Sequence, residues 1–456
     1  MIQALRNAFR LPDVRNKLLI TALILVIYRF VAHVPVVGVQ SEALEVLLDP
    51  NTAGSNFIGV LNLLSGGAVR NFSIIANGVY PYITASIIFQ LLVPIIPRLE
   101  AIQREPGGQE KIQRYTYYLA IPMAILQSVG QISVFNALIS GTPIVDQQTG
   151  QVITGIINGY GENFLLTIAV ITTMTAGTMF AIWLGDLITE QGIGNGISII
   201  IFAGIVAQTP GNLFRLLTAN PDRWVYNLAL FVVIVVVSLV VIVLIQEGTR
   251  RIPVQYGKRV RGRKMYGGQS THIPLKVNPV GMIPLIFSQA IIAFPAIIVA
   301  LFPPGEVGQA IQNTFGNQQG GLYWFSFFLL TVAFTFFYAD VMVGNQKLAE
   351  NLQRNGGFIP GIRPGKRTEE YIVYVTRRIT VVGAIFLGVI AVVPGIIAWF
   401  NGLIFPLEAV GQASAATNAG YVLSGSGLII VVGVVIDTMR QLEAQLVMRN
   451  YEGFMR

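Results

Sequence analysis

Residues 63–92 read LLSGGAVRNFSIIANGVYPYITASIIFQLL. The stretch is apolar and long enough to cross a bilayer, which takes about 20 apolar residues in a helix. It is interrupted by Ser-Gly-Gly at 65–67, whose glycines each weaken a helix by about 1 kcal/mol, by the charged Arg70 and by Pro81. Irregular backbone at membrane depth persists only inside a protein or beside a water-filled cavity, so the interruption indicates such a cavity. The alternative, a kinked helix that faces lipid, would leave Arg70 in or near the lipid.

The composition of the 456-residue chain is that of a membrane protein. Hydrophobic residues make up 53% and charged residues only 11%, and the mean hydropathy is +0.64, far above the range of soluble domains. The chain has no cysteine and only two histidines, His33 and His272, too few for a thiolate site or a histidine metal cluster. We therefore predict a multi-span, all-α membrane protein that uses no cofactor.

Ten apolar segments each have about the length of a membrane-spanning helix. They lie near residues 18–34, 79–97, 115–137, 163–185, 195–209, 225–246, 280–302, 321–343, 379–401 and 427–447. Pro210-Gly211 is expected to interrupt the fifth segment, and the Gly-rich stretch 192–196 is expected to bend its entry, with Asn195 able to bond across helices. Residues 1–17 are predicted to form an amphipathic helix that is retained in the cytosol.

Basic residues orient the predicted spans. Of the 30 Lys and Arg residues, 26 lie in the N-terminus, in the loops 98–114, 247–279 and 344–378, and at the C-terminal end. The positive-inside rule places these segments, and both termini, in the cytosol. The spans divide into two sets of five, 18–209 and 225–447, followed by a tail at 448–456. An odd number of spans per set makes the second set run inverted relative to the first.

Two predicted cytosolic loops, 247–279 and 344–378, are too long and too basic to be simple connectors. One interpretation is that their charge orients the chain and contacts anionic lipid headgroups. The other is that they form ordered hairpins that dock a large acidic partner such as ribosomal RNA.

The sequence contains no machinery for coupled transport or nucleotide hydrolysis. Segment 361–367, GIRPGKR, has three residues between its glycines and no Ser or Thr after its lysine, so it does not match a phosphate-binding loop. Asp186, Asp340 and Asp437 fall near the cytosolic ends of spans, where anchoring or local pairing is expected, so they do not form a chain of buried carboxylates across the membrane. A secondary transporter for a small solute and a membrane-embedded enzyme are the competing classes, but few midplane ligands and no nucleophile with a base are present.

Several long motifs resemble those of the SecY family, which forms the pore of the bacterial Sec protein translocase. Besides the opening stretch, they are GIGNGISIIIFAGIV (192–206), RRIPVQYGKRVRGRKMYGGQSTHIPLKVN (250–278), YADVMVGNQKLAENLQRNGGFIPGIRPGKRTEEYI (338–372) and IIVVGVVIDTMRQLEAQLVMRNYEGF (429–454). The resemblance runs from about Tyr28 to the C-terminus. It departs at 34–38, VPVVG, where the family usually has a second proline, and is weakest in the loops 40–58, 138–162 and 303–320.

The resemblance implies a passive protein-conducting channel rather than an enzyme, placed in the bacterial plasma membrane. Ten helices in two inverted halves would surround an hourglass pore that passes unfolded chains and releases apolar segments sideways into lipid. Residues 61–73 would be the plug, a short re-entrant helix that closes the pore from outside. Its assigned residues are Leu64, Ser65, Gly66, Gly67, Ala68, Val69, Arg70, Asn71, Phe72 and Ser73.

The resemblance also implies a ring of branched aliphatic side chains at the narrowest point of the pore. Such a ring excludes water and ions while remaining soft enough to fit any passing sequence. The positions implied are Ile83, Ile87, Ile197, Ile201, Ile286 and Ile430. Isoleucine is common in every span, so the residues alone do not separate these six from core or lipid-facing positions.

A sideways exit is implied between the second and third spans and the seventh and eighth, where Gln90, Ser288 and Gln289 lie. These polar residues would either make ordinary interhelical bonds worth about 1 kcal/mol or form a weak latch that a signal sequence replaces. The basic loops would dock the motor ATPase SecA or the translating ribosome through Arg261, Arg263, Lys264 and Arg363. Further implied partners are the SecE and SecG subunits, preproteins with their signal sequences, and anionic lipids.

Overall fold

The computed structural model describes residues 12–40, 42–44, 65, 67–140, 144–145, 152–153, 155–218, 224–256, 259–261, 264–266, 270–299, 305–311, 314–315, 320–345, 348–404 and 427–454. In chain order its α-helices are α1 (Pro12–Val31), α2 (Tyr80–Leu92), α3 (Pro97–Arg104), α4 (Gly108–Ser140), α5 (Phe164–Gln191), α6 (Gly196–Thr218), α7 (Trp224–Glu247), α8 (Ile283–Val299), α9 (Glu306–Ile311), α10 (Gly321–Asn345), α11 (Leu348–Arg354), α12 (Lys366–Ile404) and α13 (Leu428–Phe454). The strands are β1 (Ile144–Val145), β2 (Val152–Ile153), β3 (Thr249–Tyr256), β4 (Arg259–Arg261), β5 (Lys264–Tyr266), β6 (Ser270–Lys276) and β7 (Gly357–Phe358).

The described structure is mainly helical, and each of the ten predicted apolar segments overlaps a helix. Stretches of α4, α5, α10 and α12 are long and apolar enough to cross a membrane. Helices α2 and α3 together make a fifth candidate, bent by 106° at the break between them. Apolar parts of α6, α7 and α8 are shorter than a full span, so by length and composition four or five of the described segments qualify.

Two local predictions for the fifth apolar segment are wrong. Helix α6 runs through Pro210 to Thr218 without a break. Proline removes only one backbone donor, and helices in membranes tolerate that loss. Asn195 does not bond across helices in the way predicted: its Oδ1 accepts a hydrogen bond from the backbone N–H of Ser198 at 3.2 Å. It therefore caps the start of its own helix, where the first N–H groups have no partner within the helix.

The two basic loops fold against each other. Strands β3 and β6 form the hairpin predicted for the first loop, with Ile252 opposite Ile273 in its register. The second loop is not a hairpin: it forms α11 and then β7, which pairs antiparallel with the end of β3. Side chains from both loops and from the start of α12 share a buried hydrophobic cluster that includes Val254, Leu352 and Ile372.

The remaining core lies in two main clusters. The central cluster takes buried residues from α1, α2, α5, α6, α7, α8, α10, α12 and α13. The side cluster joins α4 and α5 to residues near 36, 72 and 156. The helices before residue 219 meet those after 223 along two seams: α2 and α4 contact α8, and α6 contacts α7 and α13. A structure with two such seams can open along one of them while the other holds.

Candidate functional site

Of the plug segment, residues 61–73, the structure describes Ser65 and residues 67–73, which are folded into the protein and do not continue α2 as a kinked lipid-facing helix. Leu64 and Gly66 lie outside the described residues, and the helix in the described part is limited to one 3-10 turn, Val69–Asn71. Phe72 ends this turn with a left-handed φ of 41°, which prevents a longer helix. Ser65 and the residues from Gly67 to Ser73 are buried except for the exposed Arg70 and the half-buried Asn71.

Helix α1 holds the plug segment with side-chain hydrogen bonds. The hydroxyl of Tyr28 donates to the carbonyl oxygen of Ser65 at 2.8 Å, and both residues are buried. Asn71 Nδ2 donates to the carbonyl oxygen of Ala32, just past the end of α1, at 3.3 Å. One bond satisfies a backbone carbonyl of the plug segment and the other a carbonyl at the end of α1, as backbone at membrane depth requires.

Residues 34–36 and 72–74 pair as a short antiparallel ladder centred on Pro35 and Ser73. Two backbone bonds join them, Val36 N to Phe72 O and Ile74 N to Val34 O, each at 3.0 Å. Pro35 and Ser73 therefore form a non-hydrogen-bonded pair, in which Cα atoms stand about 4.5 Å apart. Proline has no backbone N–H, and it is compatible with this position because neither bond of the ladder uses the N–H of residue 35.

The plug segment contributes to both main clusters. Phe72 is fully buried in the side cluster, and its ring meets the edge of Phe135 with centroids 5.3 Å apart. Ala68 belongs to the central cluster instead. Helix α5 approaches closely at Gly177, where any Cβ would overlap the carbonyl oxygen of Ile74. Removing the segment would therefore expose apolar surface in two separate places.

The six isoleucines assigned to the pore ring belong to the central cluster or pack against it. Ile83, Ile87, Ile201, Ile286 and Ile430 are buried members of it. Ile197 is half-buried and packs against the same cluster, where its Cγ1 lies 3.1 Å from the place a Cβ would take on Gly185 of α5. Four helices thus bring these side chains to one hydrophobic region, together with many other apolar residues.

The seam between α2 and α8 is bridged by a residue that sequence reasoning missed. The buried Tyr80 donates its hydroxyl hydrogen to the carbonyl oxygen of Ala290 at 2.9 Å. A tyrosine at the start of an apolar helix is a signal for such a bond, because its hydroxyl needs a partner when buried. Residues Gln90 and Ser288, assigned to this seam, instead bond within their own helices, to Ser86 Oγ and to the carbonyl oxygen at 284.

The remaining assigned residues lie on α8 and on the loops. Gln289 is buried on α8. Arg261 and Lys264 are paired residues at the ends of β4 and β5, whereas Arg263 lies outside the described residues. Arg363 has an exposed side chain, and its carbonyl oxygen accepts a bond from Thr368 Oγ1 at 2.9 Å.

The aspartates predicted to pair locally do so in two cases. Asp186 on α5 accepts a hydrogen bond from the hydroxyl of Tyr117 on α4 at 2.8 Å. Asp340 on α10 forms a two-point ion pair with Arg377 on α12, with distances of 3.0 and 3.1 Å. Both carboxylates join neighbouring helices.

Comparison with known proteins decides the family. The SecY sequence profile matches residues 73–439. The chain belongs to the SecY family. It is 40% identical over 464 residues to the protein translocase subunit SecY of Streptomyces scabiei and 39% identical over 466 residues to that of Bacillus subtilis strain 168, with 100% of each chain covered.

Solved structures show the same fold at low identity. One described as a protein-conducting channel has a TM-score of 0.60 and 18% identity, covering 95% of this chain and 93% of the other. A SecY structure concerned with the plug domain has a TM-score of 0.59 and 19% identity over 95% and 92% of the two chains. Sec61 in a canine ribosome–channel complex has a TM-score of 0.59 and 18% identity over 95% and 93%.

Membership of the SecY family confirms two predictions made from the sequence. SecY is a family of translocation channels and not of enzymes. Its members are multi-pass proteins of bacterial membranes, in agreement with the apolar helices described above.

For a SecY-family channel, Tyr80→Phe is expected to ease separation of α2 from α8. The variant loses the buried bond to Ala290, which contributes about 1 kcal/mol, or roughly fivefold in an opening equilibrium. The measurement is the transport rate of a substrate with a weakened signal sequence, relative to one with an intact signal. Tyr118→Phe, at a tyrosine that is 69% exposed, is the matched control. Equal ratios for wild type and Tyr80→Phe would show that the bond plays no part in opening.

Proposed function

We propose that the chain is the pore-forming subunit of a protein-conducting channel that moves unfolded polypeptides across the membrane and releases apolar segments sideways into lipid. The observation that carries the proposal is the plug segment: an irregular, buried stretch held against helices on several sides in a chain of the SecY family. Hydrogen bonds within residues 65–73 hold its short turn together, so it can leave as a unit and be replaced by other backbone.

The pore seal in this proposal is the set of six isoleucines. These isoleucines lie on α2, α6, α8 and α13, and all of them belong to one hydrophobic cluster or pack against it, which supports the assignment. A ring of such side chains holds back ions by excluding water and reshapes around each passing residue. The channel would therefore seal without needing a specific fit to its substrate.

The proposed arrangement has ten spans in two inverted halves, with both termini and the loop pair 247–279 and 344–378 in the cytosol. The charge distribution supports this orientation. The folded unit that the two loops form gives a firm base for exposed basic side chains, as docking of SecA or a ribosome requires. Sec61 in the canine complex, which shares the fold, is itself part of a ribosome–channel complex.

The driving force in this proposal comes from partners. SecA or the translating ribosome would push the chain through a passive pore, with SecE and SecG as companion subunits and anionic lipids around the basic loops. The motor and ribosome contacts are proposed at Arg261, Arg263, Lys264 and Arg363. The sideways exit is proposed at the α2–α8 seam, near Gln90, Ser288 and Gln289.

Deletion of residues 64–73 is expected to turn a closed channel into one that flickers open. The deletion removes buried contacts and hydrogen bonds of the closed state, and a loss of about 1.4 kcal/mol already raises the open population tenfold. The measurement is single-channel conductance of the purified complex with its partner subunits in planar bilayers.

Large, poorly selective currents from the deletion variant, with wild type silent, are the expected result. A variant with a deletion of the same length at the C-terminal end, 447–456, controls for shortening of the chain. Silence of the plug deletion would contradict the proposal of a wide pore closed by this segment.

A further inference from the structure

We infer that Tyr28, Arg29 and Gln208 form a clamp that holds the plug segment closed and sets how readily the channel opens. The inference rests on the proposed function and names residues that act on the plug, outside the ring and the sideways exit. Tyr28 and Arg29 lie in the last turns of α1, and Gln208 lies on α6. Two helices therefore supply the clamp from different directions.

Tyr28 makes the best-defined contact of the clamp. Its side chain is only 2% exposed and belongs to the central cluster, yet its hydroxyl reaches the Ser65 carbonyl at 2.8 Å. A hydroxyl buried in apolar surroundings costs free energy unless it is bonded. When the plug leaves, Ser65 leaves with it, and the phenol loses this partner. The bond thus favours the closed state specifically.

Arg29 and Gln208 meet the plug at Gly67. A Cβ built on Gly67 would lie 2.8 Å from Arg29 Nη1 and 3.0 Å from Gln208 Nε2. Gly67 also has a φ of +94°, which residues with a side chain rarely adopt. Glycine at this position therefore leaves room for a guanidinium and an amide beside the plug backbone, where the amide of Gln208 is held by a bond to the carbonyl oxygen of Gly204 on α6 at 3.4 Å.

The carbonyl groups of the plug show where an outside donor is used. Within the described part, the carbonyl oxygens of Ala68 and Val69 accept bonds from Ser73 and Phe72 of the same segment. The carbonyl oxygen of Ser65 accepts its bond from Tyr28 on α1. An incoming chain must displace the plug from the clamp before it can pass, so the strength of the clamp sets how strong a signal sequence is needed to open the channel.

The test is Tyr28→Phe in the complete complex, measured as open probability in planar bilayers. The variant keeps the ring and its packing but loses the bond to Ser65, so open probability is expected to rise roughly threefold to tenfold. Tyr118→Phe makes the same chemical change at an exposed tyrosine and is expected to behave as wild type. Gly67→Ala is expected to raise open probability as well, because the added methyl group collides with the clamp and strains the backbone.

The same substitution in a channel without the plug distinguishes loss of the clamp from a general loss of packing. In a channel that lacks residues 64–73, Tyr28→Phe is expected to have no further effect, since its partner is already gone. An equal increase with and without the plug, or no increase in the full chain, overturns the inference. If the deletion conducts while Tyr28→Phe stays at the wild-type level, the inference alone fails. If the deletion itself is silent, the proposed function fails and the inference falls with it.

Discussion

A variant carrying Pro35→Cys and Ser73→Cys is expected to lose polypeptide transport when oxidised and to regain it when reduced. The two residues face each other as a non-hydrogen-bonded antiparallel pair. Cα atoms in such a pair are about 4.5 Å apart, within the range of about 4.4–6.8 Å that disulfides span. The chain has no cysteine of its own, so the introduced pair contributes the only thiols.

The bond would tie the end of the plug segment to the residues that follow α1. In the closed structure it adds little strain, because the backbone ladder already holds the pair together. Opening, however, requires residues 72–74 to part from 34–36, and a covalent bond prevents that. Transport should then fall to the level seen without a motor, which is a larger effect than any single hydrogen bond could produce.

The measurement is SecA-driven movement of a labelled preprotein into protease-protected space in proteoliposomes, with and without a reductant. A matched control exists in the pair Val39 and Ile157, which shows the same geometry and does not include the plug segment. A Val39→Cys/Ile157→Cys variant should transport normally when oxidised. Full transport by the oxidised Pro35/Ser73 variant, with the disulfide verified by mass, would mean that this part of the plug does not move.

Features that depend on neighbouring residues were predictable from the sequence. Helix positions follow from the length of apolar runs, which is a local property, and each predicted segment overlaps a helix. The hairpin at 249–276 was expected from its turn and aromatic content and is confirmed. The break at Pro210 was predicted wrongly because a proline rule taken from isolated helices ignores the support of surrounding helices.

Features that depend on distant partners were not predictable in this way. Tyr80 bonds a residue 210 positions away, and Tyr28 one 37 positions away. Strand β7 joins a sheet whose other strands lie about a hundred residues earlier. The position of Tyr80 at the start of an apolar helix indicates that its hydroxyl needs a partner, but no local pattern identifies that partner. The resemblance to a family assigns residues to a plug and a ring, but only the folded structure shows that Tyr28 donates to the segment assigned to the plug.

Arg363→Glu is expected to stop motor-driven transport while leaving insertion and assembly of the chain intact. The side chain is exposed, so its replacement removes no buried contact, and stability should change by no more than about 0.5 kcal/mol. Docking is expected to weaken strongly, because a like charge opposite a partner's acidic group costs several kcal/mol. About 3 kcal/mol corresponds to a loss of binding of more than a hundredfold.

The position of Arg363 explains why one residue can have so large an effect. Thr368 fixes the backbone at Arg363 from the first turn of α12, and the neighbouring Ile362 packs against the hydrophobic cluster shared by the two loops. The arginine is therefore presented from a firm base, and the negative side chain of the variant would be presented just as firmly. A flexible loop could turn an unfavourable charge away from the partner, but this one has little freedom to do so.

The measurement pairs SecA binding to reconstituted vesicles with ATP-dependent transport, for wild type, Arg363→Glu and Lys366→Glu. Lys366 is also exposed and only three residues away, so its variant makes the same change in net charge at a different point of the surface. If SecA binding depends on the charge at position 363 and not on the net charge of the loop, Lys366→Glu should retain most of its transport and Arg363→Glu should have almost none. Equal losses in the two variants would indicate that SecA responds to the overall charge of the loop. Normal transport by Arg363→Glu would show that this residue is not part of the docking surface. The hairpin residues Arg261 and Lys264 would then be the remaining described candidates for the SecA contact.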